Sequence, residues 1–162
     1  MRSAVAIAAG VASITIWGST AHAQAFDATH CYFGTATVLF ASDDAVIASF
    51  EHKGIYRGNN GNKTLEGFSI QCAGITKMIN KKRTVSGGCK LLDPKGDSIA
   101  LVFEGAGPPG GDSGTADAVG GTGAWKGVTG GGKWQVHTGS KPLVPGTFQA
   151  CLRYHGAFAV PK

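Results

Sequence analysis

Along most of the chain hydrophobic and polar side chains alternate in short runs, a period of two that belongs to extended strands rather than helices. Such runs cover residues 31–41, 45–56, 65–79, 84–92, 98–104, 115–119, 133–138 and 147–160. Turn-forming clusters separate most of them: Ser42-Asp43-Asp44, Gly58-Asn59-Asn60-Gly61-Asn62, Asp93-Pro94-Lys95-Gly96-Asp97, and a Gly/Pro stretch over 105–114. In the second run Val46, Ala48, Phe50, His52 and Tyr56 share one face, and Ile47, Ser49, Glu51, Lys53 and Arg57 share the wet one. In the last run Phe148, Ala150, Leu152, Tyr154 and Phe158 oppose Gln149, Cys151, Arg153 and His155. In the first, Tyr32, Ala36, Val38 and Phe40 alternate with Cys31, Phe33, Thr35 and Thr37. Many strands at near-regular spacing, with no long helical pattern, predict an all-β antiparallel sandwich or barrel. The expectation carried forward is a closed eight-stranded antiparallel β-barrel with two disulfides.

Closure makes the first and last strands neighbours. Cys31 and Cys151 then meet on the outward face of that seam, and a bridge between them fastens the barrel. Cys72 and Cys89 lie on consecutive strands, where a local bridge is natural. Four cysteines allow three connectivities, and the sequence alone leaves all three open. The spacing lacks Cys-x-x-Cys and His-x₃-His, which argues against zinc. No metal or cofactor is expected.

The N-terminus changes the compartment. Met1-Arg2-Ser3 is followed by an apolar stretch to Trp17 and then by Ser19-Thr20-Ala21-His22-Ala23. A short basic region, a hydrophobic region and small residues before a cut describe a signal peptide over 1–23, with cleavage after Ala23 or, alternatively, Ala25. The apolar stretch is short for a membrane span, and no later run supplies a transmembrane segment. Residues 24–162 then form a single domain in a secreted or periplasmic protein, where an even cysteine count reads as disulfides. Charged residues are 15% of the chain and glycines number 26, which again favours strands and tight turns. The formal charge of +5 is a mild excess that does not call for a nucleic-acid partner.

The glycine-rich segment after residue 119 invites a phosphate-loop reading, since Gly127-x₄-Gly132-Lys133 is present. Trp134 stands where Ser or Thr is required, and no helix follows, so a structural turn is the better account. The run Gly120-Gly121-Thr122-Gly123-Ala124-Trp125-Lys126-Gly127-Val128-Thr129-Gly130, placed after Cys89, the 93–97 turn and the 98–104 strand, resembles the signature of the allene oxide cyclase and dirigent-like barrels, small bacterial exported members among them. That resemblance implies an eight-stranded antiparallel barrel with an apolar cavity. Plant members of the superfamily guide cyclisation or radical coupling of hydrophobic small molecules. Their functional residues have no matching local motif here, so none is carried over.

An inward set follows from the alternation: Phe40, Phe50, His52, Tyr56, Leu101, Phe103, Trp134, Val136, Leu152 and Tyr154. Of these, Phe50, His52, Tyr56, Phe103, Trp134 and Tyr154 are the candidate ligand-binding residues, an aromatic lining with a few polar tips. The plainer alternative is a filled core. His52 and Glu104 are weak candidates for an acid–base pair, against a core histidine and a solvated carboxylate. Ser113 in Gly-Asp-Ser-Gly lacks any triad framework. Asp93 and Asp97 read as a turn before a calcium site. Lys81-Lys82-Arg83, with Lys77, reads as a solvated hairpin end, with contact to an anionic surface as the lesser alternative. Asn62-Lys63-Thr64 fits a glycosylation sequon. Three functions remain: a barrel binding a small apolar or aromatic molecule, a cofactor-free cyclase or isomerase using the same cavity, or an interaction protein with a filled core.

Overall fold

The computed structural model describes residues 22–108 and 111–161. Eight strands close into one antiparallel barrel in chain order: β1 (His22–Ala41), β2 (Ala45–Gly58), β3 (Ser69–Ile79), β4 (Lys82–Leu92), β5 (Ser98–Ala106), β6 (Ser113–Gly121), β7 (Thr129–Ser140) and β8 (Thr147–Val160). A single 3₁₀ turn, Gly123–Trp125, stands between β6 and β7. The stretch 1–21, which holds nearly all of the expected signal peptide, lies outside the described residues. His22 and Ala23 already pair with Val160 and Ala159, so β1 begins nine residues before the run read from the sequence.

The closing seam joins β1 to β8 from His22↔Val160 to Thr35↔Thr147, with Cys31 opposite Cys151. Both expected disulfides are present, Cys31–Cys151 and Cys72–Cys89, and no free cysteine remains for a metal. The seam also carries a two-pronged ion pair. Arg153 Nε donates to Asp27 Oδ1 at 2.8 Å and Nη2 to Oδ2 at 2.5 Å. That hydrogen bonding, helped by Asn59, holds the Asp27 carboxyl down at about 2.

Bulges interrupt the alternation at three points, and one corrects the sequence reading. Val38 pairs with Ala48 and Phe40 with Ile47, leaving Leu39 as the extra residue. The bulge moves Phe40 to the outer face, where it is 53% exposed rather than inward.

One end of the barrel is plugged. Leu65 and Phe68 from the β2–β3 connection, with Trp125 and Val128, close over Phe26, Leu91, Ile99 and Phe158. The glycine-rich segment serves this plug. Gly123 sits at φ +53°, and a Cβ there would collide with the Asp97 carboxylate. The close approach lets Asp97 Oδ2 accept from the Ala124 N–H at 2.9 Å, while Asp93 Oδ2 accepts from the Trp125 indole at 3.2 Å. Asp93 Oδ1 takes the N–H groups of Lys95 and Asp97. These carboxylates are therefore occupied as a clasp between two turns. Asn62 is engaged in the same region, its amide donating to the Ala25 carbonyl at 3.1 Å.

Candidate functional site

Between the plug and the opposite end runs a cavity of about 670 Å³. Tyr56, Tyr154 and Ile70 line its depth, and Arg83, Ser140 and Asp112 line it toward the turns joining β3 to β4, β5 to β6 and β7 to β8. A void of this size survives because small residues stand in the wall where large ones would fill it. Inward Gly34, Gly54, Gly74, Gly87 and Gly105 each carry a ring against the backbone: Phe148, His30, Phe50, Phe103 and Trp134 respectively. The rings lie along the wall instead of crossing the lumen.

All six residues proposed from the sequence as ligand-binding, Phe50, His52, Tyr56, Phe103, Trp134 and Tyr154, line this cavity, and so do Leu101, Val136 and Leu152. Two polar tips are tied to the wall: the Tyr154 hydroxyl donates to the Ala116 carbonyl at 2.9 Å and the Trp134 indole to the Thr115 carbonyl at 3.0 Å. Glu104 does not join them. Phe103 points inward, so its neighbour faces out, and Glu104 sits on the outer surface beside Lys77, Thr84 and Ser86. The His52–Glu104 pair is thus separated by the sheet itself. Ser113 opens β6 on the exposed side.

Four residues that the sequence reading did not place in the site complete it. His30, inward on β1, stacks on His52 with ring centroids 5.4 Å apart, and Tyr32 contacts both, 5.0 Å from His30 and 4.3 Å from His52. His30 Nε2 and His52 Nδ1 are buried without a hydrogen-bond partner. Burial pulls His30 down to about 3, with His52 adding repulsion, and pulls His52 down to about 4. Both rings are therefore neutral at physiological pH, each with one donor and one acceptor nitrogen.

The other two close the mouth. Arg83 Nη1 meets Asp112 Oδ2 at 2.5 Å, and Arg83 Nε donates to Thr76 Oγ1 at 3.1 Å. The Asp112 carbonyl accepts from the Val136 N–H at 2.8 Å, anchoring its loop to β7. Asp112 is only 6% exposed, and its Oδ1 has no partner. Burial raises its pKa, opposed by Arg83. Tyr32 feels the same pair: burial first and the Asp112 charge second push its phenol up to about 12, while Arg83 works against them. Arg83 is thus not part of the solvated basic tip expected from Lys81-Lys82-Arg83. The two-residue turn Asn80-Lys81, both at positive φ, sets Arg83 on the inward face of β4.

Chemically the site is an oily chamber with neutral imidazoles and a phenol along one wall and a carboxylate–guanidinium pair at its entrance. No protein-family model matches the chain, and no curated protein matches it. Solved structures of dirigent proteins resemble it. The pterocarpan synthase dirigent protein GePTS1 aligns at a TM-score of 0.52 with 13% identity, over 95% of this chain and 100% of that one. The pterocarpan synthase dirigent protein PsPTS1 aligns at 0.47 with 12% identity, over 83% and 94%. With the eight-stranded closure, the first of these alignments identifies the fold of this chain as the dirigent-like β-barrel.

Proposed function

We propose that this protein is exported and takes a small apolar or aromatic molecule bearing a polar hydrogen-bonding group into the barrel interior. The observation that carries the reading is the aromatic cavity of about 670 Å³ whose lining residues His30, His52 and Asp112 each hold a buried polar atom without a partner, Nε2, Nδ1 and Oδ1 respectively. A buried polar atom without a partner is costly, about 1–3 kcal/mol, and a ligand that satisfies it recovers that cost. Cavities of a few hundred Å³ with apolar walls and few polar groups suit drug-sized molecules. Two disulfides fit an oxidising compartment, and both expected cleavage points leave Phe26, the first core residue of β1, in place.

Native mass spectrometry of protein purified from the cells that export it, followed by titration with the fluorescent apolar probe 1-anilinonaphthalene-8-sulfonate, tests this. A co-purifying small mass, or probe binding lost in an Ala36→Trp variant that obstructs the mouth, is the expected result. No added mass and no probe binding to the folded wild type overturns it. N-terminal sequencing of the exported protein should begin at Gln24 or Phe26.

A second reading, a cofactor-free cyclase or isomerase, is favoured by the buried Asp112 carboxylate beside Tyr32 and by the fold shared with a pterocarpan synthase dirigent protein. Asp112 accepts a proton or hydrogen bond there while the aromatic walls hold the substrate in one pose. Under this reading Asp112→Asn abolishes turnover of a bound substrate and leaves probe binding intact. Under the first reading no turnover exists to lose.

A further inference from the structure

Of the thirteen large hydrophobic side chains exposed among the described residues, seven gather at the rim of the open end, and the other six are spread over the outer wall. On the β1–β2 tip Val38, Leu39 and Phe40 are 61%, 60% and 53% exposed, and in the β7–β8 turn Leu143 and Val144 are 83% and 56% exposed. Met78 and Ile79 stand at the β3–β4 tip, 38% and 48% exposed. Backbone hydrogen bonds tie the three tips into one edge. The Ala36 N–H donates to Gly146 O at 2.9 Å, and the Asn80 N–H donates to Asp44 O at 2.8 Å. Single exposed apolar residues are ordinary on protein surfaces, but a contiguous edge of them marks an interaction site. The bulge at Leu39 is what keeps Phe40 on that edge rather than in the lumen.

Charge accompanies the apolar tips. Lys77, Lys81 and Lys82 flank the β3–β4 tip and Lys141 the β7–β8 turn, against Asp43 and Asp44 on the β1–β2 turn and Glu104 on the outer wall beside Lys77. Arg83 and Asp112 neutralise one another inside the mouth. The rim is left with an excess of positive charge beside its apolar side chains.

We propose that this rim seats the open end of the barrel on an anionic lipid bilayer, with the apolar tips in the interfacial layer and the lysines among the headgroups. Apolar side chains bordered by lysine are the composition that binds at that boundary, where long lysine stems reach outward to the phosphates. Each lysine held at an anionic surface strengthens partitioning roughly fivefold. A second copy meeting the same edge brings the same four lysines together, which opposes self-association through this face. Docking in this pose turns the cavity mouth toward the lipid. If the barrel carries an apolar molecule, as proposed above, that molecule passes between bilayer and lumen without crossing water. The docking itself stands on the rim alone.

The full chain, with both disulfides formed, is sedimented with vesicles of phosphatidylcholine alone and of phosphatidylcholine with phosphatidylglycerol, at low and high salt. Binding to the anionic vesicles, weakening as salt rises, is expected. Leu39→Asp with Leu143→Asp should lower partitioning by more than about tenfold, and Lys81→Gln with Lys82→Gln by about 25-fold. Lys95→Gln, in the turn at the plugged end, should leave it unchanged. All these side chains are outside the core, and circular dichroism confirms that each variant folds. Absence of binding to anionic vesicles, or binding indifferent to the rim variants, overturns the proposal. A lipid-free dimer that the rim variants abolish also overturns it, since it assigns the edge to a second copy. Probe binding inside the barrel is unaffected by any of these outcomes, so the two readings fail separately.

Discussion

Trp134 lies against the bare Cα of Gly105: a Cβ added to that glycine would stand 2.3 Å from the indole Cζ2 and 2.5 Å from the Ser113 carbonyl oxygen. The glycine costs local stability in an isolated strand, but here it lets an indole lie along the wall. Gly105→Ala should push Trp134 toward the lumen and destabilise the barrel by roughly 1–3 kcal/mol. Gly139 has no atom within 4 Å of an added Cβ, so Gly139→Ala is the control and should stay within about 0.5 kcal/mol of wild type. Urea midpoints with tryptophan emission check both. Equal midpoints for the two variants would show that the indole does not depend on this glycine.

The stacked His30 and His52 give stability a pH dependence whose sign is fixed. Their folded-state values, about 3 and about 4, lie below the 6.5 of an unfolded histidine. Above pH 6.5 both states hold neutral rings and the contribution is fully present. As pH falls the unfolded chain takes up protons that the folded chain refuses, and stability drops by up to about 1.4 kcal/mol per pH unit for each ring. Asp27, held at about 2 by Arg153, loses its contribution at still lower pH as it protonates. Denaturation midpoints measured between about pH 7 and pH 4 should therefore fall steeply in the wild type and flatten in His30→Phe and His52→Phe. A wild-type curve as flat as theirs sinks the assignment of buried neutral rings.

Where one face was cleanly wet, as in β2 and β8, alternation placed nearly every residue, because Phe50, His52 and Tyr154 have polar neighbours on both sides and Tyr56 and Leu152 are each followed by an arginine. The same rule failed at Phe40, since Val38-Leu39-Phe40 is apolar throughout and nothing in it marks the bulge at Leu39. It also failed at the start of β1, where small alanines alternate with Gln24, Asp27 and Thr29 and carry almost no hydrophobic signal. His30 was lost with that stretch. Arg83 was hidden by the lysines before it, and only the positive-φ pair Asn80-Lys81 sets the phase of β4. Asp112 lies in a connection, where no period exists to read. Its partner is 29 residues away in the sequence, and only the closed barrel brings them together.

The two disulfides close loops of very different length, with sequence separations of 120 for Cys31–Cys151 and 17 for Cys72–Cys89. In the chain-entropy account the longer loop constrains the unfolded state more, by about 5 kcal/mol against about 3 kcal/mol. Cys31→Ala with Cys151→Ala should therefore lower the unfolding free energy more than Cys72→Ala with Cys89→Ala. Replacing Cys72 and Cys89 also trims the cavity wall, which adds a packing loss to the second variant. If the local pair proves the more costly, packing rather than loop closure governs these bonds.

Arg83 and Asp112 form the charged threshold of an otherwise apolar chamber, and their coupling is measurable. Arg83→Met leaves the Asp112 carboxylate buried with neither oxygen ion-paired, and the expected cost is roughly 2–4 kcal/mol. Asp112→Asn is milder, since it removes the charge that needs a partner and leaves Arg83 partly in solvent with its Thr76 contact. The double variant removes both charges from the low-dielectric mouth, so its cost should fall well short of the sum of the single ones. A coupling energy of about 1–3 kcal/mol in the cycle fits a desolvated pair. Additive single costs would instead mean that water reaches both groups and that the entrance is wet, which weakens the case for Asp112 Oδ1 as an acceptor awaiting a ligand.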